Sequence, residues 1–194
     1  MGHYFTNEKL PSQINKTNAF VLGNNFTFLT DNGVFSKDGL DFGSRLLLET
    51  IPLEEVGGKI LDMGCGYGVF GIVLSKVVSA DIDMVDVNLR ALHLAERNIK
   101  ENKVTNVNVF ESDIYKNVNS KYTSIITNPP IRAGKKVVYD IVMGAKDHLE
   151  KDGKLFIVIR KEQGAKSLIF DLEKQYNVEV LTRKKGFYII KCCL

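Results

Sequence analysis

The chain has 194 residues, 44% hydrophobic and 25% charged, with a net charge of +3. That length and balance predict one soluble globular domain with a single substantial core, and a charge too small by itself to require nucleic acid as partner. No apolar run approaches the roughly 18 residues that cross a bilayer, and the three cysteines offer neither a disulfide framework nor metal spacing.

Taken in order, residues 1–20 are polar and read as a loosely structured arm without the apolar core of a signal peptide. Asn25–Thr30 alternates as a strand, and Asp31-Asn32-Gly33 is a hairpin turn signal before Val34-Phe35. Asp41 can cap a helix through Leu46–Leu48 that Pro52 ends. Residues 1–58 are thus expected to be an arm and cap of the same domain, in front of a core over 59–194. From Lys59 onward strands are expected at 59–63, 81–86, 107–111, 123–127, 154–160, 178–181 and 187–192. Helices are expected from the glycine loop to about 78, then at 89–101, 137–149 and 164–176. Strands alternating with helices predict an α/β fold. Its sheet should be doubly wound, Rossmann-like, seven-stranded and mostly parallel, with an antiparallel last strand.

The first strand of that core runs into Asp62-Met-Gly-Cys-Gly-Tyr-Gly-Val-Phe-Gly71. Gly66-Tyr-Gly68-Val-Phe-Gly71 satisfies the dinucleotide fingerprint, with Asp86 twenty residues beyond Gly66. Asp62 argues otherwise, because a carboxylate under the loop repels pyrophosphate yet can hold water or a ligand ammonium, or simply brace the loop. The other strand ends decide more. Asp86 suits ribose hydroxyls or a helix cap. Asp113 suits an adenine amine or an ordinary solvated loop. In Asn128-Pro129-Pro130 neither proline has an N–H and both fix φ, so the strand cannot continue. The Asn128 side-chain carbonyl and the Pro129 backbone carbonyl then converge as acceptors for a planar exocyclic amine.

These motifs resemble those of class I S-adenosylmethionine-dependent methyltransferases. They are similar in particular to the small methyltransferase-domain family, which includes the small-subunit ribosomal RNA guanine-N2 methyltransferases. The resemblance covers about Gly33 to the C-terminus. It rests on Leu-Asp-Met-Gly-Cys-Gly-Tyr-Gly, Val-Asp-Val-Asn, Ser-Asp, Thr-Asn-Pro-Pro-Ile-Arg-Ala-Gly-Lys and Gly-Val-Phe-Ser-Lys-Asp-Gly-Leu-Asp-Phe-Gly. It implies that Asp62 and the backbone of Gly64, Cys65, Gly66 and Gly68 hold the methionine end of the cofactor, S-adenosyl-L-methionine. Asp86 would bind the ribose and Asp113 the adenine amine, with Val87 or Ile114 packing on the ring. Asn128 would border the cofactor and, with Pro129 and Pro130, orient the target amine. The family often places an aromatic residue after the two prolines for base stacking; here Ile131 stands there, leaving Phe35 or Phe42 as substitutes.

Basic residues follow three strands: Arg132, Lys135 and Lys136; Arg160, Lys161 and Lys166; Arg183, Lys184 and Lys185. If those strands are parallel the clusters form one rim, the footprint of phosphate-backbone binding. Ile131, Arg132, Lys135, Arg160 and Lys161 are therefore the candidate substrate-binding residues, and RNA, ribosomal in particular, is the expected partner of a monomer or homodimer. No metal is expected, since His3, His93 and His148 lack ligand spacing. Cysteine usage points to a cytoplasmic setting. The expected reaction is N-methylation of an exocyclic amine, guanine N2 in ribosomal RNA above all. A protein-glutamine N-methyltransferase, a NAD-binding oxidoreductase and a non-catalytic RNA-binding protein remain the alternatives.

Overall fold

Alternation of apolar residues on the central strands sets the layering. In β3 (Gly58–Met63) Ile60 faces one buried cluster, while Leu61 and Met63 face the other. In β7 (Leu149–Arg160) Phe156 and Val158 join the first, and Leu155, Ile157 and Ile159 the second. A strand apolar on both faces must be covered on both. The computed structural model describes residues 11–194. In it α1 (Phe42–Thr50), α2 (Val69–Val77) and α3 (Leu89–Glu101) cover one face, and α4 (Lys135–His148) and α5 (Ala165–Leu172) the other.

The remaining strands are β4 (Ala80–Asp86), β5 (Val107–Glu111), β6 (Tyr122–Thr127), β8 (Asn177–Lys184) and β9 (Phe187–Cys193). The sheet order is β5-β4-β3-β6-β7-β9-β8. Strands β3 to β7 are parallel, and β9 is antiparallel to both β7 and β8, as the sequence led us to expect. The order reverses between β3 and β6, which opens a crevice beyond their carboxyl ends. Helix α5 stops at Leu172, short of the expected 176. Strand β7 starts at Leu149 rather than 154, because its pairing with β6 is irregular between Tyr122 and Ser124.

The N-terminal expectation needs correction. A strand does occupy Asn24–Thr30 (β2), but its antiparallel partner precedes it, at Asn15–Val21 (β1), and Val34-Phe35 is not a strand. Leu22 (φ 49°) and Gly23 (φ 75°) form the tight turn, both left-handed as a twisted hairpin requires. Leucine is a poor residue for that region, so the turn gave little signal, whereas Asp31-Asn32-Gly33 does turn but leads into a loop. Of the expected arm, residues 15–20 are therefore strand, and residues 1–10 lie outside the described residues.

The exposed edge of β2 is met by a helix, not a strand. Asn98 of α3 accepts from Leu29 N–H (2.7 Å) and donates to Leu29 O (3.0 Å); Asn102 does the same at Thr27 (3.0 and 2.7 Å). Each side-chain amide copies one rung of a ladder and so satisfies the edge. Asn98 also donates to Tyr67 O at 2.9 Å, tying the hairpin to the glycine loop.

Candidate active site

The loop after β3 turns on glycines at positive φ: Gly64 at 72°, Gly66 at 56° and Gly68 at 95°. They have different tasks. At Gly64 and Gly66 no protein atom lies within 4 Å of where a Cβ would stand, and both line a cleft of about 320 Å³ beyond the ends of β3, β4 and β6. Bare backbone there leaves space for a ligand. A Cβ on Gly68 would instead lie 3.1 Å from Ile72 and Met84 side-chain atoms, and Gly68 does not line the cleft. At Gly71 a Cβ would meet Met84 Sδ at 2.2 Å, so this glycine lets α2 sit close on the sheet. Gly71→Ala is expected to destabilise the fold by about 1–3 kcal/mol, the usual cost of overpacking, read as a lower midpoint in denaturant titration.

The loop amides are already engaged. Gly64 and Cys65 N–H both donate to Val85 O (2.9 Å each), and Gly68 N–H donates to Cys65 O (2.9 Å). Gly66 N–H donates to Asp86 Oδ2, and Gly71 N–H to Asp62 Oδ2, each at 2.9 Å. A dinucleotide pyrophosphate needs such amides pointing at it. Here two carboxylates take two of them, at Gly66 and Gly71, which counts against the oxidoreductase alternative.

The carboxylates differ in place. Asp62 is 1% exposed, lies beneath the loop rather than in the cleft wall, and its Oδ1 has no hydrogen-bond partner among the described residues. Burial pushes its pKa up to about 7, against the Gly71 N–H that lowers it, with Asp86 adding a smaller rise. Asp86 lines the cleft; burial raises its pKa, opposed by the N–H groups of Asn88, Gly66 and Val87. Asp113, Val87 and Ile114 line it too. Ile114 has φ 54°, an unusual conformation for a β-branched residue. Ser112 holds that turn, donating to Ile114 O (2.7 Å) and accepting from Asn117 N–H (3.1 Å). Cys65 also lines the cleft, but burial and then Asp62 and Asp86 push its thiol well up, which leaves no thiolate nucleophile.

Across the cleft stand Asn128, Pro129 and Pro130. Asn128 Nδ2 donates to Ser44 Oγ at 3.1 Å. Ser44 is 5% exposed and sits in the first turn of α1, where Asp41 Oδ1 accepts from Gly43 and Ser44 N–H (2.9 and 3.1 Å). With its nitrogen so engaged, Asn128 keeps its Oδ1 as an acceptor. Sequence reading found Asp41 as a cap but missed Ser44; only the tertiary fold brings 44 beside 128. From the 33–36 loop sequence reading offered only Phe35, as a stacking residue. Asn88 Nδ2 donates to Gly33 O (3.0 Å) and Arg90 to Asn32 O (2.8 Å), and Phe35 and Ser36 line the cleft. Phe42 does not line it; its ring packs 5.5 Å from that of Phe187.

None of Ile131, Arg132, Lys135, Arg160 and Lys161 lines the cleft. They stand outside it at the same end of the sheet. Arg160 and Lys184 both pair with Phe187, so the exits of β7 and β8 flank the start of β9 at one end of the sheet. Lys161 N–H donates to Gly186 O at 2.7 Å. The basic clusters after β6, β7 and β8 therefore share one rim. Arg160 lies over the Phe187 ring (5.0 Å) and Lys185 over Phe42 (4.9 Å). Among the described residues no group of His, Cys, Asp or Glu is placed to hold a metal, and no helix is long and apolar enough to cross a membrane.

A family model described as "Methyltransferase small domain" matches residues 25–191. The chain is 48% identical to "Uncharacterized protein YbxB" of Bacillus subtilis (strain 168), over 97% of this chain and 96% of that one. It is 36% identical to "Ribosomal RNA small subunit methyltransferase C" of Haemophilus influenzae (strain PittEE), over 86% of this chain and 52% of that one. Among solved structures, the T. thermophilus 16S rRNA N2 G1207 methyltransferase in complex with AdoMet and guanosine superposes with a TM-score of 0.84 at 25% identity, covering 96% of this chain and 52% of that one. The chain thus spans about half the length of the ribosomal RNA methyltransferases it matches.

Proposed function

We propose an acceptor for this chain from one premise: it belongs to the methyltransferase small domain family and is an S-adenosylmethionine-dependent methyltransferase. The acceptor is the exocyclic amine of a nucleobase, guanine N2 in ribosomal RNA. The observation that carries this reading is that Asn128, its amide nitrogen held by Ser44, lines the cleft beside Pro129, so that the amide oxygen and the Pro129 carbonyl can act as a pair of acceptors. Two carbonyl acceptors fit the two N–H bonds of a planar amine and leave its nitrogen lone pair outside the pair of hydrogen bonds. A hydroxyl acceptor has only one hydrogen and would leave one of them unmatched.

The cleft fits the methyl donor by its donor set and shape. Open glycine backbone at Gly64 and Gly66 accommodates the methionine and ribose, and Asp86 retains lone pairs for ribose hydroxyls beside its backbone donors. Val87 and Ile114 supply apolar contacts for the adenine and Asp113 an acceptor for its amine. When bound, S-adenosylmethionine supplies an electrophilic methyl group. The protein's own work is placement: Asn128 and Pro129 fix the amine and favour the positive charge that develops on its nitrogen. No residue need remove the proton beforehand; it passes to water once the N–C bond has formed. Phe35, 40% exposed in the cleft wall, takes the place of the aromatic residue that Ile131 does not provide.

Ribosomal RNA as the acceptor is supported by the names of the half-length matches and by the basic rim. The test is to incubate the protein with methyl-labelled S-adenosylmethionine and ribosomal RNA, digest to nucleosides, and identify the labelled product by mass spectrometry. N2-methylguanosine is expected. Label on another base, or on glutamine in ribosomal protein, would overturn the acceptor.

A further inference from the structure

A second depression lies beside the cleft, about 180 Å³ in volume, between the turn that follows Asn128-Pro129-Pro130 and the start of α5. Its walls are apolar: Ile131, Val138, Ile159 and Leu168. Tyr139 adds an aromatic wall, pinned by its hydroxyl donating to Asp171 (2.7 Å) and overlaid by the Lys135 ammonium 4.8 Å from the ring centre. Gln163 and Ser167 stand at its mouth. Gln163 Oε1 accepts from Arg160 N–H at 2.9 Å, while its Nε2 makes no hydrogen bond among the described residues.

Resting on the acceptor reading above, we propose that this depression receives the unpaired nucleobase next to the methylated nucleotide. Position argues for it: Ile131 follows directly on Pro130 of the cleft wall, so a strand leaving the cleft over the turn after β6 reaches this wall first. Chemistry agrees. An apolar slot with an aromatic side and amide hydrogens at its mouth holds a flat heterocycle by packing and bonds to its edge. Charge agrees as well, because the slot opens within the basic rim, where Lys161 and Lys166 are exposed and have no ion-pair partner among the described residues. A sugar-phosphate backbone crossing the rim finds cations on both sides while its base turns inward. An aliphatic side chain gains nothing from the mouth's amide hydrogens, and an acidic one gains nothing from the apolar walls.

Ser167→Trp places an indole across the mouth from an exposed helix position. With an RNA oligonucleotide that the wild-type protein methylates, KM is expected to rise about tenfold, the usual loss for one stacked base, at unchanged kcat. As a second measurement that needs no variant, oligonucleotides abasic on either side of the target are assayed with the wild-type protein. One of the two should show the same rise, and that oligonucleotide should lose nothing further with Ser167→Trp. An unchanged KM in both experiments, or losses that simply multiply, overturns the pocket alone. If the wild-type protein methylates no RNA at all, the acceptor reading falls and the pocket with it.

Discussion

Asn128→Ala is expected to slow methyl transfer about a hundred- to a thousandfold, the usual cost of removing one positioned group from a transition state, with binding of S-adenosylhomocysteine retained. The side chain contributes one of two acceptors, and alanine leaves Pro129 O to orient the amine alone. A loss confined to kcat would locate the effect in placement. Full activity in Asn128→Ala would falsify the role assigned to the amide. Ser44 sharpens the test because its hydroxyl holds Asn128 Nδ2, 3.1 Å away, and so positions the amide. In Ser44→Ala the amide loses the partner that fixes which end faces the cleft, and a flipped amide presents N–H groups to an N–H donor. About tenfold in kcat, the worth of one hydrogen bond, is expected at unchanged KM, with Ser44→Thr restoring activity because the hydroxyl returns. A purely structural serine would instead lower the melting temperature and not be rescued in kcat.

What the sequence disclosed and what it hid follow from the range of the interactions. The β3–loop–α2 unit, the alternation of strands with helices and the strand ends bearing Asp86 and Asn128 all derive from short-range patterns: apolar alternation, glycine, proline and caps; the order of the strands in the sheet does not. The roles within the loop do not. Gly66, Gly68 and Gly71 are indistinguishable in a pattern, yet one faces open space and the other two face Met84, a residue on the next strand. Asp62 invited a ligand role by its position, but its contact is with Gly71 N–H nine residues on, under the loop. Asn98 reads as a polar interruption of an amphipathic helix, and becomes intelligible only when β2 lies against it. The hairpin was mispaired because a leucine holds a left-handed conformation at its turn, where glycine or asparagine gives the usual signal.

Asp62 gives the second large effect, and it appears in stability. Burial raises its carboxyl from 3.8 to about 7, the Gly71 N–H works against that rise, and Asp86 on β4 adds to it. Between those values the folded protein keeps a proton on Asp62 that the unfolded chain has lost. A folded state that binds more protons loses stability as pH rises. The ligand-free protein is thus expected to lose stability as pH is raised from about 4 to about 7, by up to roughly 4 kcal/mol from this residue, and to level off above. Asp86, raised in the same direction by burial, contributes a slope of the same sign. Asp62→Asn keeps the shape and an oxygen for Gly71 N–H but cannot titrate, so most of the slope should vanish and the variant should exceed the wild-type protein in stability at pH 8. The measurement is ΔG of unfolding from urea titrations across pH 4–8. A wild-type curve that is flat or rising over that window, or an unchanged slope in Asp62→Asn, would mean that the carboxyl is ionised throughout. Its unpartnered Oδ1 would then have to be hydrated in solution, opening the floor of the cleft to water beneath Gly64 and Gly66.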